Sequence, residues 1–418
     1  MKKTFKVLGI IALVAVFGFL FTACSSGGAG SGGGGQTGGG GQTGGGTLGT
    51  MNITNATNLF IVAEGDYSEL FKVTNNGKVQ KVTYSITSDD YLQPRAITVL
   101  NPDYFIIEYG ISSYYTHPYL VNSKTGACYS YNKNDLPNKS LHDIYGGEFI
   151  LSDENGNNYF INGERKLRKI SIADPDNVTI STCSVANDDV RVFGVDKYGN
   201  VAYYGMDAGS NHILRYKKAA GGLENLPGSP NLVNFWQGLA GELFYCNYFK
   251  AGSKIKKLQA NPFSADDYGS VDFNPISINN VIILKMKKKN AIVAVGSFEI
   301  YDLYNSYAVT RNIPYSTFSL DSNKFGIASD NFYYLIGKGK DAKSVLLKID
   351  PSNDNHTRLI NGEYDIYKAS VSADDVIIFN AIRMSDGAIV LGEISAAENI
   401  TILDENLTSE VIALARIR

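Results

Sequence analysis

A five-residue turn motif occurs twice in the chain, at a spacing of 43 residues. The motif is Asp-x-x-Gly-Asn, at residues 153–157 and 196–200, and each copy lies between two apolar runs. An Asp that starts a tight turn and a Gly at a position of positive φ are typical of a hairpin between two strands. A period of about 40–50 residues that contains several strands indicates a fold assembled from repeated small sheets.

Comparable strand–turn–strand positions recur along the rest of the chain. They lie at residues 102–103, 155–156, 198–199, 241–242, 289–290, 330–331 and 374–375, with steps of about 53, 43, 43, 48, 41 and 44 residues. After each position come an apolar strand, a loop, a second strand, a polar turn and a last strand. The pattern predicts an all-β protein, a β-propeller with four-stranded blades.

The phase of the repeat predicts how the ring of blades closes. Counting back one repeat from the turn at residues 102–103 leads to about residue 58. Residues 59–62 form a strand there, and no inner strand comes before it. Counting forward one repeat from the turn at residues 374–375 leads to about residue 418, just after the strand-like residues 411–415. We expect residues 411–415 to supply the innermost strand of the first blade, which leaves no open edge. The count is then eight blades, and seven remains the alternative because the step across residues 103–155 is irregular.

The composition agrees with an all-β chain and excludes one class of partner. Tyr and Phe are abundant, with 27 and 20 residues against one Trp, and aromatic residues suit a pleated, half-buried sheet. Residues 1–23 contain three of the 38 Lys and Arg and none of the 41 Asp and Glu, so the rest of the chain has a formal charge of 35 − 41 = −6. We expect no nucleic-acid partner, because nucleic-acid binding needs a basic surface.

Residues 1–23 have the features of a secretion signal. Three lysines near the start precede an unbroken apolar run of 15 residues, from residue 7 to residue 21. A bilayer span needs about 20 apolar residues, whereas a shorter run fits the apolar region of a signal peptide. We therefore expect export from the cytoplasm.

Residues 21–24, Phe-Thr-Ala-Cys, resemble the lipobox of bacterial lipoproteins. The resemblance implies that Cys24 is lipidated and becomes the first residue of the mature chain, which then contacts a membrane through its lipid anchor. The family prefers Leu at the first position, and Phe there resembles the relaxed lipoboxes of some spirochaetes. An ordinary cleaved signal and an uncleaved anchor are the alternatives. Ser25, rather than Asp, favours the outer membrane under the enterobacterial sorting rule.

Residues 24–50 predict a disordered tether between the anchor and a propeller domain at residues 51–418. Residues 25–49 are nearly all Gly, Ser, Gln and Thr, with GGGGQT repeated in tandem. Glycine loses much backbone freedom on ordering, and no apolar side chains here offset that loss. A tether of this length has an r.m.s. span of roughly 25–30 Å.

Short stretches of the body resemble known propeller families. Asp-x-x-Gly-Asn followed by an aromatic strand resembles the repeats of sensor-type bacterial propellers, and residues 70–84, LFKVTNNGKVQKVTY, are similar to TolB-like blades. Eight blades on a lipid anchor also resemble the propeller lipoprotein of the outer-membrane protein assembly machinery. That family and the related quinone-binding propellers favour Thr-Gly turns followed by Trp. This chain has one such turn, at residues 124–126, without the Trp, so the resemblance implies neither a quinone nor catalytic residues.

The sequence contains no motif of a known catalytic or metal site. HExxH, GxSxG and a phosphate loop are all absent from it. Residues 174–177 and 350–354 are rich in Asp and Asn but lack the central Gly and the terminal Glu of a calcium loop. We therefore expect no metal and no cofactor. The lysine-rich residues 285–289 are interpreted as a solvated turn, and contact with an anionic lipid or glycan is the alternative.

Three cysteines remain if Cys24 carries lipid, namely Cys128, Cys183 and Cys246. An odd number excludes a complete disulfide framework. Each lies among strand-like residues, so we expect buried thiols. Trp236 starts the fifth blade and is expected in the core.

Residues 109–119, YGISSYYTHPY, are the candidate ligand-binding segment. Tyrosine offers a large contact area with a polar tip and is enriched at recognition surfaces. The alternative is that these tyrosines pack at the edge of the second blade. The candidate residues are Tyr109, Tyr114, Tyr115, His117 and Tyr119.

Together these features predict a monomeric, non-enzymatic module on a lipid anchor in the bacterial cell envelope. Its role would be to bind or scaffold a protein or a glycan. One alternative is a carbohydrate-active enzyme, a lyase or glycosidase, with its site in the propeller channel. Another is a component of outer-membrane protein assembly.

Overall fold

The computed structural model describes residues 47–64, 67–86, 93–112, 115–130, 150–174, 177–227, 233–238, 241–247, 253–260, 263–270, 281–285, 290–294, 299–302, 309–312, 326–329, 331–338, 343–350, 356–372 and 374–417. These residues form 33 β-strands. Within the ranges just given, no helix is long and apolar enough to cross a bilayer. The predicted signal, Cys24 and most of the predicted tether lie outside the described residues.

The strands group into eight antiparallel sheets, numbered here in chain order. Sheet 1 holds β2 (Ala56–Glu64), β3 (Tyr67–Thr74), β4 (Val79–Lys81) and β33 (Val411–Arg416). Sheet 2 holds β1 (Thr47–Thr50), β5 (Gln93–Asn101), β6 (Tyr104–Ser112), β7 (Tyr115–Asn122) and β8 (Ala127–Ser130). Sheet 3 holds β9 (Leu151–Ser152), β10 (Asn158–Ile161), β11 (Leu167–Asp174) and β12 (Asn177–Thr182). Sheet 4 holds β13 (Asp189–Val195), β14 (Val201–Met206), β15 (His212–Lys217) and β16 (Leu223–Asn225).

The second half of the chain repeats the same arrangement. Sheet 5 holds β17 (Val233–Gln237), β18 (Leu243–Asn247), β19 (Lys254–Ala260) and β20 (Phe263–Ser270). Sheet 6 holds β21 (Val281–Lys285), β22 (Asn290–Ala294), β23 (Glu299–Asp302) and β24 (Val309–Asn312). Sheet 7 holds β25 (Gly326–Ala328), β26 (Tyr333–Lys338), β27 (Ser344–Ile349) and β28 (His356–Asn361). Sheet 8 holds β29 (Tyr364–Val371), β30 (Ile377–Arg383), β31 (Ile389–Ile394) and β32 (Ile400–Leu407).

Neighbouring strands of a sheet are hydrogen-bonded, and for six pairs of neighbouring sheets the inner strand of one contacts the inner strand of the next. Such contacts join β9 to β13, β13 to β17, β21 to β25, β25 to β29, β29 to β33 and β33 to β5. In sheet 1 the place of the first strand is taken by β33, which pairs with β2. Residues 411–415 thus pair with residues 59–62 as predicted, whereas closure of the ring and the count of eight blades stay predictions. The all-β fold and its four-stranded sheets are those of a β-propeller.

The hydrophobic core lies between neighbouring sheets, because strands such as β10, β14 and β18 are nearly continuous apolar runs that bury side chains on both faces. One cluster joins Phe105 and Tyr109 of sheet 2 to Leu59 and Ala413 of sheet 1. Further clusters join sheets 2 and 3, sheets 3 and 4, sheets 4 and 5, and sheets 7 and 8. A last cluster packs Ile378 of sheet 8 against residues of sheet 1.

Four residues assigned to the tether belong to a sheet. Residues 47–50 were assigned to the tether, but Thr47–Thr50 is β1, which pairs with β8 as a fifth strand of sheet 2. Met51 follows it and is buried in the core. The physical reason is that the glycine run ends at residue 46, and the next residues, Thr-Leu-Gly-Thr, can cover the outer edge of β8.

Candidate functional site

A cleft of about 850 Å³ opens between sheets 4 and 5. Three turns and one strand form its walls: the β13–β14 turn, the β15–β16 turn, the β17–β18 turn and β19. Its lining residues are Asp196, Lys197, Tyr198, Asn200, Lys218, Ala219, Ala220, Gly221, Gly241, Glu242, Lys257, Leu258, Gln259 and Ala260. The volume lies within the range of about 300–1,000 Å³ that is usual for small-molecule sites.

The first wall is the second copy of the Asp-x-x-Gly-Asn motif. Asp196 Oδ1 accepts hydrogen bonds from the backbone N–H groups of Tyr198 and Asn200, both at 2.9 Å. Asp196 Oδ2 accepts a 2.6 Å hydrogen bond from the Asn200 side chain. Gly199 adopts a φ of 79°, which a residue without Cβ reaches at no steric cost. The motif therefore builds a rigid hairpin turn, as predicted.

Asn200 joins the first wall to the second. Its side-chain oxygen accepts a 2.9 Å hydrogen bond from the backbone N–H of Ala219. The β15–β16 turn then continues with Ala220, Gly221 and Gly222, and a Cβ at Gly221 would meet no atom within 4 Å. Small side chains in this turn leave the mouth of the cleft open.

A backbone hydrogen bond joins the turns of the two sheets. The N–H of Lys197 donates to the carbonyl oxygen of Gly241 at 2.8 Å. A Cβ at Gly241 would overlap the side chain of Lys197, and Gly241 has a φ of 79°. The N–H of Glu154 donates in the same way to the carbonyl oxygen of Lys197, at 3.0 Å. The first wall of the cleft is therefore tied to both neighbouring sheets, 3 and 5.

Each of the three lysines of the cleft has a carboxylate partner. Lys197 Nζ lies 3.8 Å from Glu154, Lys218 Nζ lies 3.2 Å from Glu224, and Lys257 Nζ lies 3.1 Å from Glu242. These lysine side chains are only 20–31% exposed. An ammonium group has three donors, so each lysine can donate further hydrogen bonds to a ligand.

Aromatic rings lie beside the same lysines. Lys218 Nζ is 5.8 Å from the ring centroid of Phe263, and Lys257 Nζ is 5.9 Å from that of Phe244. Lys197 Nζ is 5.0 Å from the ring centroid of Tyr198, which is 65% exposed. Tyr198 thus presents a large apolar surface at the edge of the cleft.

The buried carboxylate of the cleft has a structural role. Burial raises the pKa of Asp196 above its ordinary value, while its hydrogen bonds to Asn200 and Tyr198 act in the opposite direction. Both carboxylate oxygens already accept hydrogen bonds within the turn. A proton on Oδ2 would weaken the hydrogen bond that this oxygen accepts from Asn200, so the ionised group is the form that stabilises the turn.

The predicted tyrosine segment forms the β6–β7 hairpin of sheet 2 rather than part of this cleft. Tyr109 and Tyr119 are 1% and 6% exposed, and their rings pack edge to face with centroids 5.7 Å apart. Both side chains lie in the core shared with sheet 1, because successive side chains of a strand point to opposite faces and these two point to the face that packs on sheet 1. His117 is exposed. Tyr114 and the side chain of Tyr115 lie outside the described residues, and a ligand at this hairpin stays a prediction.

The structure also places the other residues that the sequence singled out. Trp236 and Phe235 are buried in β17, as predicted. Cys128 and Cys246 are buried, whereas Cys183 follows the end of β12 and is only half-buried, because it belongs to a connection rather than a strand. Lys285 ends β21, and residues 286–289 lie outside the described residues. Within the described part of the chain, no three His, Cys, Asp or Glu residues are placed to hold a metal ion.

The cleft residues were missed because their signal is weak. Tyr198 occupies the third position of the Asp-x-x-Gly-Asn turn, where the first copy of the motif has Asn155. An aromatic residue at the tip of a polar hairpin has no core to pack into, so its presence there indicates a binding surface. Tyr198 was the signal for the cleft that the sequence offered. The lysines come from three separate segments, and only the packing of sheet 4 on sheet 5 brings them together.

No protein-family model and no curated protein matches the chain. Solved structures do match. Dipeptidyl peptidase 4 of Porphyromonas gingivalis has a TM-score of 0.53 at 11% identity, over 85% of this chain and 60% of that one. Prolyl oligopeptidase B from Galerina marginata has a TM-score of 0.47 at 10% identity, over 77% and 51%. Streptogramin B lyase has a TM-score of 0.37 at 14% identity, over 72% and 93%.

These comparisons concern the fold. The chain spans 51% and 60% of the lengths of the two peptidases. At 11% identity, the likeness to the Porphyromonas gingivalis protein shows the β-propeller fold alone.

Proposed function

We propose that the chain is a lipid-anchored, non-enzymatic binding module of the bacterial cell envelope, which holds a protein or glycan ligand in the cleft between sheets 4 and 5. The observation that carries the proposal is the cleft itself. Two of its walls are joined by the Lys197–Gly241 backbone hydrogen bond, and its edge presents the exposed ring of Tyr198. A preformed site costs little ordering entropy when a ligand binds.

The carboxylates of the cleft support binding over hydrolysis. Glycosidases use a pair of carboxyl groups, one of which must donate a proton. Asp196 accepts a hydrogen bond from Asn200 within its own turn, and Glu242 Oε1 accepts a hydrogen bond from Lys257. Asp196 stabilises the turn of the first wall, and Glu242 holds Lys257 in place.

Photo-cross-linking from residue 198 tests the site. Benzoylphenylalanine replaces Tyr198 in the full chain, and membranes of the producing cells are irradiated. We expect an adduct with an envelope component. The control places benzoylphenylalanine at Tyr67, which is 69% exposed and lies in sheet 1, away from the cleft. Equal adducts from both positions would contradict the assignment of the cleft.

The anchor is tested by Cys24→Ala. We expect this variant to lose metabolic palmitate labelling and to leave the membrane fraction, because acyl chains hold the chain there at about 0.8 kcal/mol for each buried CH₂. The matched control is Cys183→Ala, which removes a half-buried thiol of the body and should leave labelling unchanged. Labelling that persists without Cys24 would overturn the lipoprotein assignment.

A further inference from the structure

The exposed ring of Tyr198 suggests the chemistry of the ligand. Lys197 lies over this ring at 5.0 Å, and the ring remains 65% exposed beside the cleft. A sugar ring presents a face of C–H groups that stacks on an aromatic ring, while its hydroxyl groups remain free to form hydrogen bonds. Tyrosine suits such a ligand because it joins an apolar face to a polar tip.

The cleft carries charges of both signs. Its lining holds three lysines and two carboxylates, Asp196 and Glu242. Glu242 pairs with Lys257, and two carboxylates outside the lining, Glu154 and Glu224, pair with Lys197 and Lys218. An acidic ligand would meet carboxylates as well as ammonium groups, so like-charge repulsion would offset its attraction. Neutral hydroxyl groups can accept from the spare ammonium donors and donate to carboxylate oxygens, and such charge-assisted hydrogen bonds are the stronger kind.

The shape of the cleft also fits this chemistry. Its volume of about 850 Å³ is large enough for a short oligosaccharide. Ala219, Ala220 and Gly221 place no large side chain at its mouth. The lysine side chains are braced by aromatic rings and carboxylates, so their donors are positioned before a ligand arrives.

We infer that the cleft between sheets 4 and 5 binds a neutral oligosaccharide, with one sugar ring stacked on Tyr198 and its hydroxyl groups bound to the paired charges of Lys218 and Lys257. The inference rests on the proposed function and specifies its ligand class.

The test is binding of the full chain to an array of neutral and acidic oligosaccharides, in a detergent without a sugar head group. A neutral trisaccharide from the array is then titrated by calorimetry. We expect neutral glycans to bind, Tyr198→Ala to weaken binding by roughly tenfold or more, and Tyr198→Phe to retain it within about threefold. The control Tyr67→Ala removes an equally exposed tyrosine of sheet 1 and should leave the affinity unchanged.

Ala220→Trp gives a second, independent readout. Residue 220 is exposed in the turn at the mouth of the cleft, so the added ring should block the ligand without disturbing the core. Unchanged thermal unfolding of both cleft variants shows that they fold. Binding of acidic glycans alone, binding of no glycan, or equal losses in Tyr198→Ala and Tyr67→Ala would overturn the inference. A protein adduct from residue 198 without glycan binding would overturn it while the proposed function survives.

Discussion

Gly199 of sheet 4 lies against the Tyr159 hydroxyl group of sheet 3: a Cβ at residue 199 would be 2.5 Å from that oxygen and 3.1 Å from Asp153 Oδ2. Tyr159 donates a 2.9 Å hydrogen bond to the same Asp153 oxygen. The second copy of the turn motif therefore packs on a buried hydrogen bond made by the first copy. Gly156 has a similar φ, 76° against 79°, but a Cβ there would meet no atom within 4 Å.

The two glycines give a matched pair of substitutions. Gly156→Ala should lower the free energy of unfolding by about 1–2 kcal/mol, the cost of a left-handed conformation for alanine. Gly199→Ala should cost about 2–4 kcal/mol, because it also disturbs the Tyr159–Asp153 hydrogen bond. Urea unfolding of both variants measures the difference. Equal losses of unfolding free energy in the two variants would show that the packing of Gly199 on the Tyr159–Asp153 hydrogen bond does not contribute to stability.

A second prediction concerns the buried ion pair of Asp188 and Arg215. Asp188 Oδ2 lies 2.6 Å from Arg215 Nη1, and it accepts a 2.8 Å hydrogen bond from the Tyr203 hydroxyl group. The Asp188 side chain is only 2% exposed. Asp188→Ala should therefore lower the free energy of unfolding by about 3–5 kcal/mol, because a partly buried guanidinium loses its partner.

The control for this pair is Asp103, which faces Lys124 at 2.6 Å with both side chains at least half exposed. Asp103→Ala should cost less than about 1 kcal/mol, as is usual for a surface ion pair. Denaturant unfolding under one set of conditions compares the two variants. A loss at Asp188 no larger than the loss at Asp103 would contradict the role assigned to the buried pair.

A third prediction concerns the thiols. Burial raises the pKa of Cys128 and of Cys246 to about 12, and that of Cys183 to about 11. Because the thiolate is the reactive species, a disulfide reagent at pH 8 should label Cys183 first and the other two only after unfolding. Mass mapping of the labelled peptides identifies the order. Rapid labelling of Cys246 in the native protein would show that β18 opens readily.

The same shifts predict how stability depends on pH. The unfolded thiols lose their protons near pH 9, whereas the folded thiols keep theirs up to about pH 11–12. The unfolded state therefore binds fewer protons in this window, and the free energy of unfolding falls as the pH rises through it. Urea midpoints at pH 8, 9.5 and 11 should decrease in that order. A midpoint that stays constant would contradict the burial of these thiols.

The repeat could be predicted from sequence because its turns are set by local chemistry. Asp153 and Asp196 accept hydrogen bonds from backbone N–H groups two and four residues later, which any chain with this motif can form. β1 could not be predicted in the same way. Its partner β8 lies about 80 residues later in the chain, and only the folded sheet shows that its outer edge is open to a further strand.

The site was harder to predict than the fold. A run of tyrosines at residues 109–119 has the composition of a recognition loop, but strand alternation places Tyr109 and Tyr119 inside the core. The cleft instead combines residues from three turns and one strand. Its geometry depends on the Lys197–Gly241 hydrogen bond between sheets, which has no sequence signature.

The last relationship is the pairing of the C-terminal strand with sheet 1. Leu59 pairs with Ala415 and Ile61 pairs with Ala413 across β2 and β33. Val411 belongs to the cluster between sheets 8 and 1, whereas Ala413, Ala415 and Ile417 belong to the cluster between sheets 1 and 2. One short strand therefore completes both neighbouring cores.

Deletion of residues 411–418 should destabilise the whole domain. It leaves the inner edge of β2 without its partner, at about 1–3 kcal/mol for each buried backbone group left unpaired. It also exposes apolar side chains of two clusters, so we expect a loss of at least about 3 kcal/mol and one cooperative transition at a lower midpoint. The control deletes residue 418 alone and should shift the free energy of unfolding by less than about 0.5 kcal/mol. Pairing of β33 with β2 joins residues more than 340 positions apart, so it should form late and slow refolding when weakened. If the long deletion moves the midpoint no more than the control does, β33 does not close the ring.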